Sequence, residues 1–277
     1  IIGYGSEGAA VTWIGVNGEI YAMKIDTAGN LLWPADSVML TPTAGLPQIV
    51  SDDSGGAIVC WFDYDHSQPI TSTNVFAQRV DSEGNVRWSP NGVPICMAPD
   101  YQHQPDLVSD GAGGAIISWL DSRYDSASYI FAQRIDSQGD TCWLANGIQI
   151  SNTKGFYRPI IASDRKGGAI ITWMGGVSED VYAQHIDTSG SILWSGDIRV
   201  SYNTDPHIPG IISDETGGAV IFWENRTDNK IKAQHISGDG ILSFPAYGKT
   251  VATDIGSGGW YAASTDGTGK VIFGWEE

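Results

Sequence analysis

One unit of sequence recurs along this chain, and it constrains the fold more than any single residue does. Between Pro47 and Trp88 the chain reads PQIVSD-DSGG-AIVCWFD, a polar loop, then NVFAQRVD-SEGN-VRW. Pro105–Trp143 repeats it as PDLVSD-GAGG-AIISWLD and IFAQRID-SQGD-TCW, Pro159–Trp194 as PIIASD-RKGG-AIITWMG and VYAQHID-TSGS-ILW. Pro209–Phe244 gives PGIISD-ETGG-AVIFWEN and IKAQHIS-GDG-ILSF; a looser copy opens the chain and half a copy, STDGTGKVIFGW, closes it. The first tryptophan of each copy falls at Trp13, Trp61, Trp119, Trp173, Trp223 and Trp275, in steps of 48, 58, 54, 50 and 52 residues. A period of this length with four short apolar runs per copy is that of propeller blades.

The second copy names the strands. Strand A is expected over Gln48–Ser51, strand B over Ala57–Phe62, strand C over Asn74–Val80, and strand D beginning at Val86-Arg87-Trp88. Strand B is apolar at consecutive positions, which fits a strand covered on both faces. The two tight turns, Asp52–Gly56 and Asp81–Asn85, carry Asp, Ser and Gly, residues that tolerate φ > 0 or bond their own backbone. No helical periodicity appears. The fold class is therefore all-β: a propeller of four-stranded antiparallel blades, five repeats plus a half repeat. It is expected as a single domain, with repeats at about 1–46, 47–104, 105–158, 159–208 and 209–258 and the half repeat at 259–277. The half repeat is expected beside the first blade, or to mark a cut in a longer array.

Composition narrows the partners. The net charge is −17, which excludes a phosphate-tracking nucleic-acid surface and disfavours an anionic membrane. Apolar runs of about six residues are too short for membrane insertion. The chain opens at Ile1 rather than Met and is expected to be part of a longer polypeptide. Cys60, Cys96 and Cys142 recur nowhere in the repeat, so neither a zinc site nor a disulfide framework is indicated, although a Cys96–Cys142 bridge stays open.

Several stretches imitate catalytic motifs. Gly3–Gly8 matches G-x-G-x-x-G, but a strand follows where a dinucleotide site needs a helix. Asp53-Ser54-Gly55-Gly56 resembles a serine-protease nucleophile segment, yet the other copies put Ala112, Lys166, Thr216 and Thr268 in the serine's place. A nucleophile is singular, whereas a turn recurs. The acids after strand A (Asp52, Asp110, Asp164, Asp214, Asp266) and after strand C (Asp26, Asp81, Asp136, Asp187) recur as turn caps do. No cofactor is called for; calcium is possible, since carboxylates and carbonyls suit it. The strand C pairs Gln78-Arg79, Gln133-Arg134, Gln184-His185 and Gln234-His235 read as blade-to-blade contacts, and the repeated tryptophans as core.

What is left unique lies in the B–C loops and D-to-A links, which vary in length while the A–B and C–D turns do not. One end of the blades is thus uniform and the other diversified, and recognition belongs on variable loops held by a rigid scaffold. Candidate ligand-binding residues are Tyr64, His66, Tyr101, His103, Arg123, Tyr124, Tyr157, Arg158, His207 and Arg226, with no catalytic residue singled out. Asp63, Asp121 and Glu224 after the strand B tryptophan, with Arg123 and Arg226, read as a W-D/E-x-R ion pair at the loop entry.

The pattern SD-x-x-GG-AI-x-x-W-x-D, then I/V-Y/F-AQ-R/H-I-D-x-x-G, then W, covers nearly the whole chain and resembles a bacterial β-propeller repeat of large secreted proteins, often with a C-terminal secretion-sorting domain. The resemblance implies the fold and a secreted or cell-surface location, not a ligand. A likeness to the sialidase Asp-box fails, because two residues rather than one separate Asp81 from Gly84. The first functional reading is a non-catalytic module binding a glycan or protein. The alternatives are a carbohydrate-active hydrolase or lyase, with Asp65, Asp106, Asp205 and Glu179 as the unrepeated acids, and a structural spacer.

Overall fold

The computed structural model describes residues 1–33, 36–64, 72–124, 128–202, 205–253, 261–265 and 270–275; the side chains of Tyr64, Ile208 and Tyr261 are not described. Its sheets follow one another in chain order. The first blade is Ile2–Gly3, Ala9–Ile14, Ile20–Ile25 and Val38–Thr41; the second is Gly45–Ser51, Ala57–Tyr64, Thr73–Val80 and Val93–Cys96. The third is Gln102–Ser109, Ala115–Asp121, Tyr129–Ile135 and Ile148–Gln149; the fourth is Ile160–Ser163, Ala169–Gly175, Asp180–Ile186 and Ile198–Arg199. The fifth is Pro206–Ser213, Ala219–Asn225, Lys230–Ile236 and Lys249–Ala252, and a two-stranded half-blade, Tyr261–Thr265 with Val271–Trp275, follows. Each is an antiparallel meander, and the only helical turn among the described residues is a single 3-10 turn at Gly5–Glu7. The architecture is the β-propeller expected from the repeat. No helix among the described residues is long and apolar enough to cross a membrane.

The chain divides into two compact units, Ile1–Ser126 with Phe131–Ile148, and Ala127–Ile130 with Gln149–Glu277. In the first unit, Trp61 and Val59 of the second blade form one cluster with Ile20, Ala22, Trp33 and Leu40 of the first. In the second unit, Trp223 and Ile221 of the fifth blade cluster with Val181, Ala183 and Trp194 of the fourth. Trp61, Trp119, Trp173 and Trp223 are fully buried, as the consecutive apolar pattern of strand B requires. The end copies depart from this: Trp13 is half-buried and Trp275 is exposed.

Three readings of the sequence need correction. Strand D does not begin at Val86. Val86 makes only an isolated bridge to Val80, and the chain then bends through Trp88 and a turn at Asn91-Gly92 before strand D forms at Val93–Cys96. Its tryptophan is a plug rather than a strand residue. Trp33, Trp88 and Trp194 cover the C–D turn glycine of the next blade, at Gly84, Gly139 and Gly240, all at positive φ.

The strand C glutamine is not what joins one blade to the next. Gln78 Oε1 accepts the amides of Arg79 (2.9 Å) and Trp88 (3.0 Å), and its Nε2 donates to the Ser89 carbonyl (2.8 Å), all within its own blade. It is fully buried and hydrogen-bonded through both ends of its amide, as a buried amide must be. Finally, Glu224 does not match Asp121. Asn225 does: its Oδ1 accepts the Thr227 amide two residues on, as Asp121 Oδ1 accepts that of Arg123.

Candidate functional site

The turn end of the blades is built on one device. Asp52 Oδ1 accepts the amides of Ser54 (2.9 Å) and Gly56 (2.7 Å), closing the A–B turn, and Asp110, Asp164 and Asp214 repeat this at 2.7–2.9 Å. Oδ2 of each acid then faces the second residue of the strand C pair. Arg79 approaches Asp52 through Nε and Nη2, both at 2.9 Å, and Arg134 approaches Asp110 at 2.9 and 2.8 Å. His185 meets Asp164 at 3.0 Å and His235 meets Asp214 at 2.9 Å. Burial alone would raise the Asp214 carboxyl, but hydrogen bonds from His235, Thr216 and Gly218 outweigh it and hold the group below its ordinary value.

The same cations join neighbouring blades. Lys24 Nζ donates to the Gly55 carbonyl of the second blade (2.7 Å), and Arg79 Nη1 to the Ser137 carbonyl of the third (3.0 Å). His185 Nδ1 lies 3.0 Å from the Gly238 carbonyl of the fifth. In the fourth and fifth blades a shorter imidazole stands where the second and third carry an arginine. A cavity of about 490 Å³ opens there, lined by Asp164, Lys166, His185, Leu193, Asp214, His235 and Asp239 among others. The sequence reading took these residues for turn caps and blade contacts and looked for a site only at the other end. The change from Arg to His inside the AQ-R/H-I motif was the signal.

At the loop end the nominated residues separate into tied and presented groups. Arg123 is tied: Nε donates to Asp121 Oδ1 (2.8 Å), Nη2 to Asp121 Oδ2 (2.6 Å) and the Asn146 carbonyl (2.7 Å), and its guanidinium lies 4.0 Å from the Phe131 ring centre. Trp119 Nε1 adds a further hydrogen bond to Asp121 (2.8 Å), which is buried. Cys96 Sγ lies 3.1 Å from the same Nη2, and burial pushes its thiol up to about 11. His103 lies in strand A opposite Leu120, where burial lowers its titration against the pull of Asp121.

Tyr101 and Tyr124 are presented, at 47% and 55% exposure, Tyr124 tilted against Phe131 at 6.2 Å. Tyr64 ends strand B of the second blade, paired with Thr73. His66 and Asp65 lie outside the described residues. In the second unit Tyr157 and Arg158 are half-buried in the link before strand A of the fourth blade, beside exposed Phe156. Arg226 is exposed, its amide bonded to the Asp205 carbonyl. His207 sits beside buried Glu224, Nδ1 to Oε2 3.3 Å, on paired positions of strands A and B. Asp121 and Asp180 are matched by the permanent cations Arg123 and Arg199. All three cysteines are free, so the Cys96–Cys142 bridge does not form. Among the described residues no three of His, Cys, Asp and Glu converge as a metal site, and the capping carboxylates spend their oxygens on turn amides.

No family model matches the chain, and no curated protein matches it. Solved structures do match its fold. An ulvan lyase, a polysaccharide lyase, aligns with 96% of this chain and 76% of its own at 10% identity and a TM-score of 0.55. An α-L-arabinanase of Penicillium chrysogenum bound to arabinobiose aligns with 99% of this chain and 94% of its own at 11% identity and a TM-score of 0.50. A protein of unknown function from Dyadobacter fermentans aligns with 91% of this chain and 78% of its own at 9% identity and a TM-score of 0.53. At such identities the likeness is one of fold, and that fold is the β-propeller.

Proposed function

We propose that this chain is a carbohydrate-directed propeller whose loop end receives a neutral polysaccharide. The observation that carries the reading is the exposure of Tyr101 and Tyr124, which flank strands A and B of the third blade, the blade that holds the Asp121–Arg123 ion pair. Aromatic rings offer flat apolar area to the C–H faces of a sugar while the phenol supplies a hydrogen bond. The net charge of −17 disfavours polyanionic glycans and leaves neutral ones. The arabinanase and the ulvan lyase, which share the fold, bear names that mark them as acting on polysaccharides. The resemblance of the repeat to those of large secreted proteins supports a secreted or cell-surface setting. Calorimetric titration with arabinan and other neutral polysaccharides, against sulfated and uronate-rich ones, tests the reading. Heat of binding from a neutral glycan, lost on replacing Tyr101 and Tyr124 with Ala, is expected; silence with every glycan refutes it.

A second reading, cleavage of such a glycan, is favoured by Glu224. It is a buried carboxylate at the loop end, with His207 Nδ1 3.3 Å from its Oε2, and carboxylates are the groups that serve as acid or base in glycan cleavage. Release of reducing ends, abolished in Glu224→Gln, would establish cleavage; binding without release would leave a recognition module.

A further inference from the structure

We propose that His185 is a proton-dependent clasp between the fourth and fifth blades, closed when its ring carries both protons. This device lies at the turn end and is independent of the glycan reading above. The argument is one of donors and acceptors. Nε2 lies 3.0 Å from Asp164 Oδ2, and Nδ1 lies 3.0 Å from the Gly238 carbonyl. A carbonyl only accepts. The Asp164 carboxylate accepts too, and its other oxygen already takes the amides of Lys166 and Gly168. A neutral imidazole has one N–H and one lone pair, so it satisfies one of these oxygens and turns a lone pair on the other. The imidazolium satisfies both.

The surroundings are rich in carboxylates. The cavity beside it presents Asp164, Asp187, Asp214 and Asp239 against Lys166 and His235. The Trp194 ring meets the imidazole edge-on at 5.5 Å, and the Trp194 Nε1 shares the Gly238 carbonyl at 2.9 Å. At the same place in the repeat, Lys24 and Arg79 make the cross-blade bond with permanently charged groups. His235 differs again. Its Nε2 faces Asp214 and its Nδ1 faces the Ser243 hydroxyl at 2.7 Å, which can donate, so the neutral Nε2–H tautomer satisfies both contacts. Among Lys24, Arg79, His185 and His235, His185 is the one that needs a proton to close a seam.

The sign follows from linkage. Closing the clasp takes up a proton, so it is complete at the acid end and loosens as pH rises, by up to about tenfold in the closing equilibrium per pH unit. When it loosens, the cavity loses the wall that His185 forms and opens along the seam.

The test uses the full chain. Long-range ¹H–¹⁵N spectra of the imidazoles at about pH 6 are expected to show both His185 nitrogens protonated. Exchange protection of the Gly238, Asp239 and Gly240 amides, corrected for intrinsic rates, is expected to fall with rising pH in the parent protein and to stay flat in His185→Arg. If His185→Arg does not fold, His185→Lys, the first blade's choice, replaces it. A neutral Nδ1–H tautomer at acid pH overturns the proposal, as does the same pH dependence in parent and variant.

Discussion

Trp88 lies flat against Gly139 of the next blade, so close that a Cβ built on the glycine would meet the indole Cδ1 at 2.8 Å. Gly139 also sits at φ 93°, where a side chain is strained whatever the space. Gly139→Ala is therefore expected to cost about 1–3 kcal/mol from overpacking, with backbone strain added. The denaturant midpoint reads it; a shift worth less than about 0.5 kcal/mol, the size of an ordinary surface change, would show that the indole moves aside freely.

Asp52 is completely buried and depends on Arg79 for its second oxygen. Arg79→Ala strands that charge and is expected to cost about 3–5 kcal/mol. Arg79→His should recover part of it, because the fourth and fifth blades close the same contact with histidine. Equal loss in both variants would mean that the arginine works through its stem, not its charge.

Arg123 and Tyr124 are neighbours in sequence that should behave oppositely. Arg123→Ala leaves Asp121 buried beside Trp119 with its cation gone, and the melting temperature should drop steeply. Tyr124→Ala removes an exposed ring and should leave the melting temperature within about 2 °C while weakening glycan binding. Should Arg123→Ala melt like the parent and lose only binding, the arginine is a ligand group after all.

At the acid end the Asp214 carboxyl is held below its ordinary value, so the folded fifth blade binds fewer protons there than the unfolded chain. Its contribution is present above the unfolded value of 3.8 and is lost as pH falls through the depressed folded one. Asp214→Asn should be destabilised at neutral pH and show a shallower acid limb. Parallel acid limbs in parent and variant would count against the linkage.

The blades were legible because the constraint on them is periodic. A turn that needs Asp to cap and Gly at positive φ, or a strand covered on both faces, writes itself into every copy. Strand D was misplaced because its tryptophan looks like a strand residue, and only three dimensions reveal the glycine it covers. The Gln78 amide was read as a cross-blade contact because sequence shows that a buried amide needs partners without showing which. The turn-end cavity went unread for a different reason: it is formed by a shortening, Arg to His, and a one-dimensional pattern records a substitution without recording the volume it vacates. At the loop end sequence nominated aromatic, Arg and His residues by type. It did not separate Arg123, spent on Asp121, from Tyr124, which is presented, because that difference lies in contacts from Cys96 and Asn146 far along the chain.

The cross-blade contacts share a direction. Lys24 grips the blade that follows it, as do Arg79 and His185, and the plugs Trp33, Trp88 and Trp194 lean the same way. The first, second and fourth blades thus each turn a gripping side toward the blade that follows, and these joints are heterologous, head to tail. Such a joint carries no instruction for its own termination.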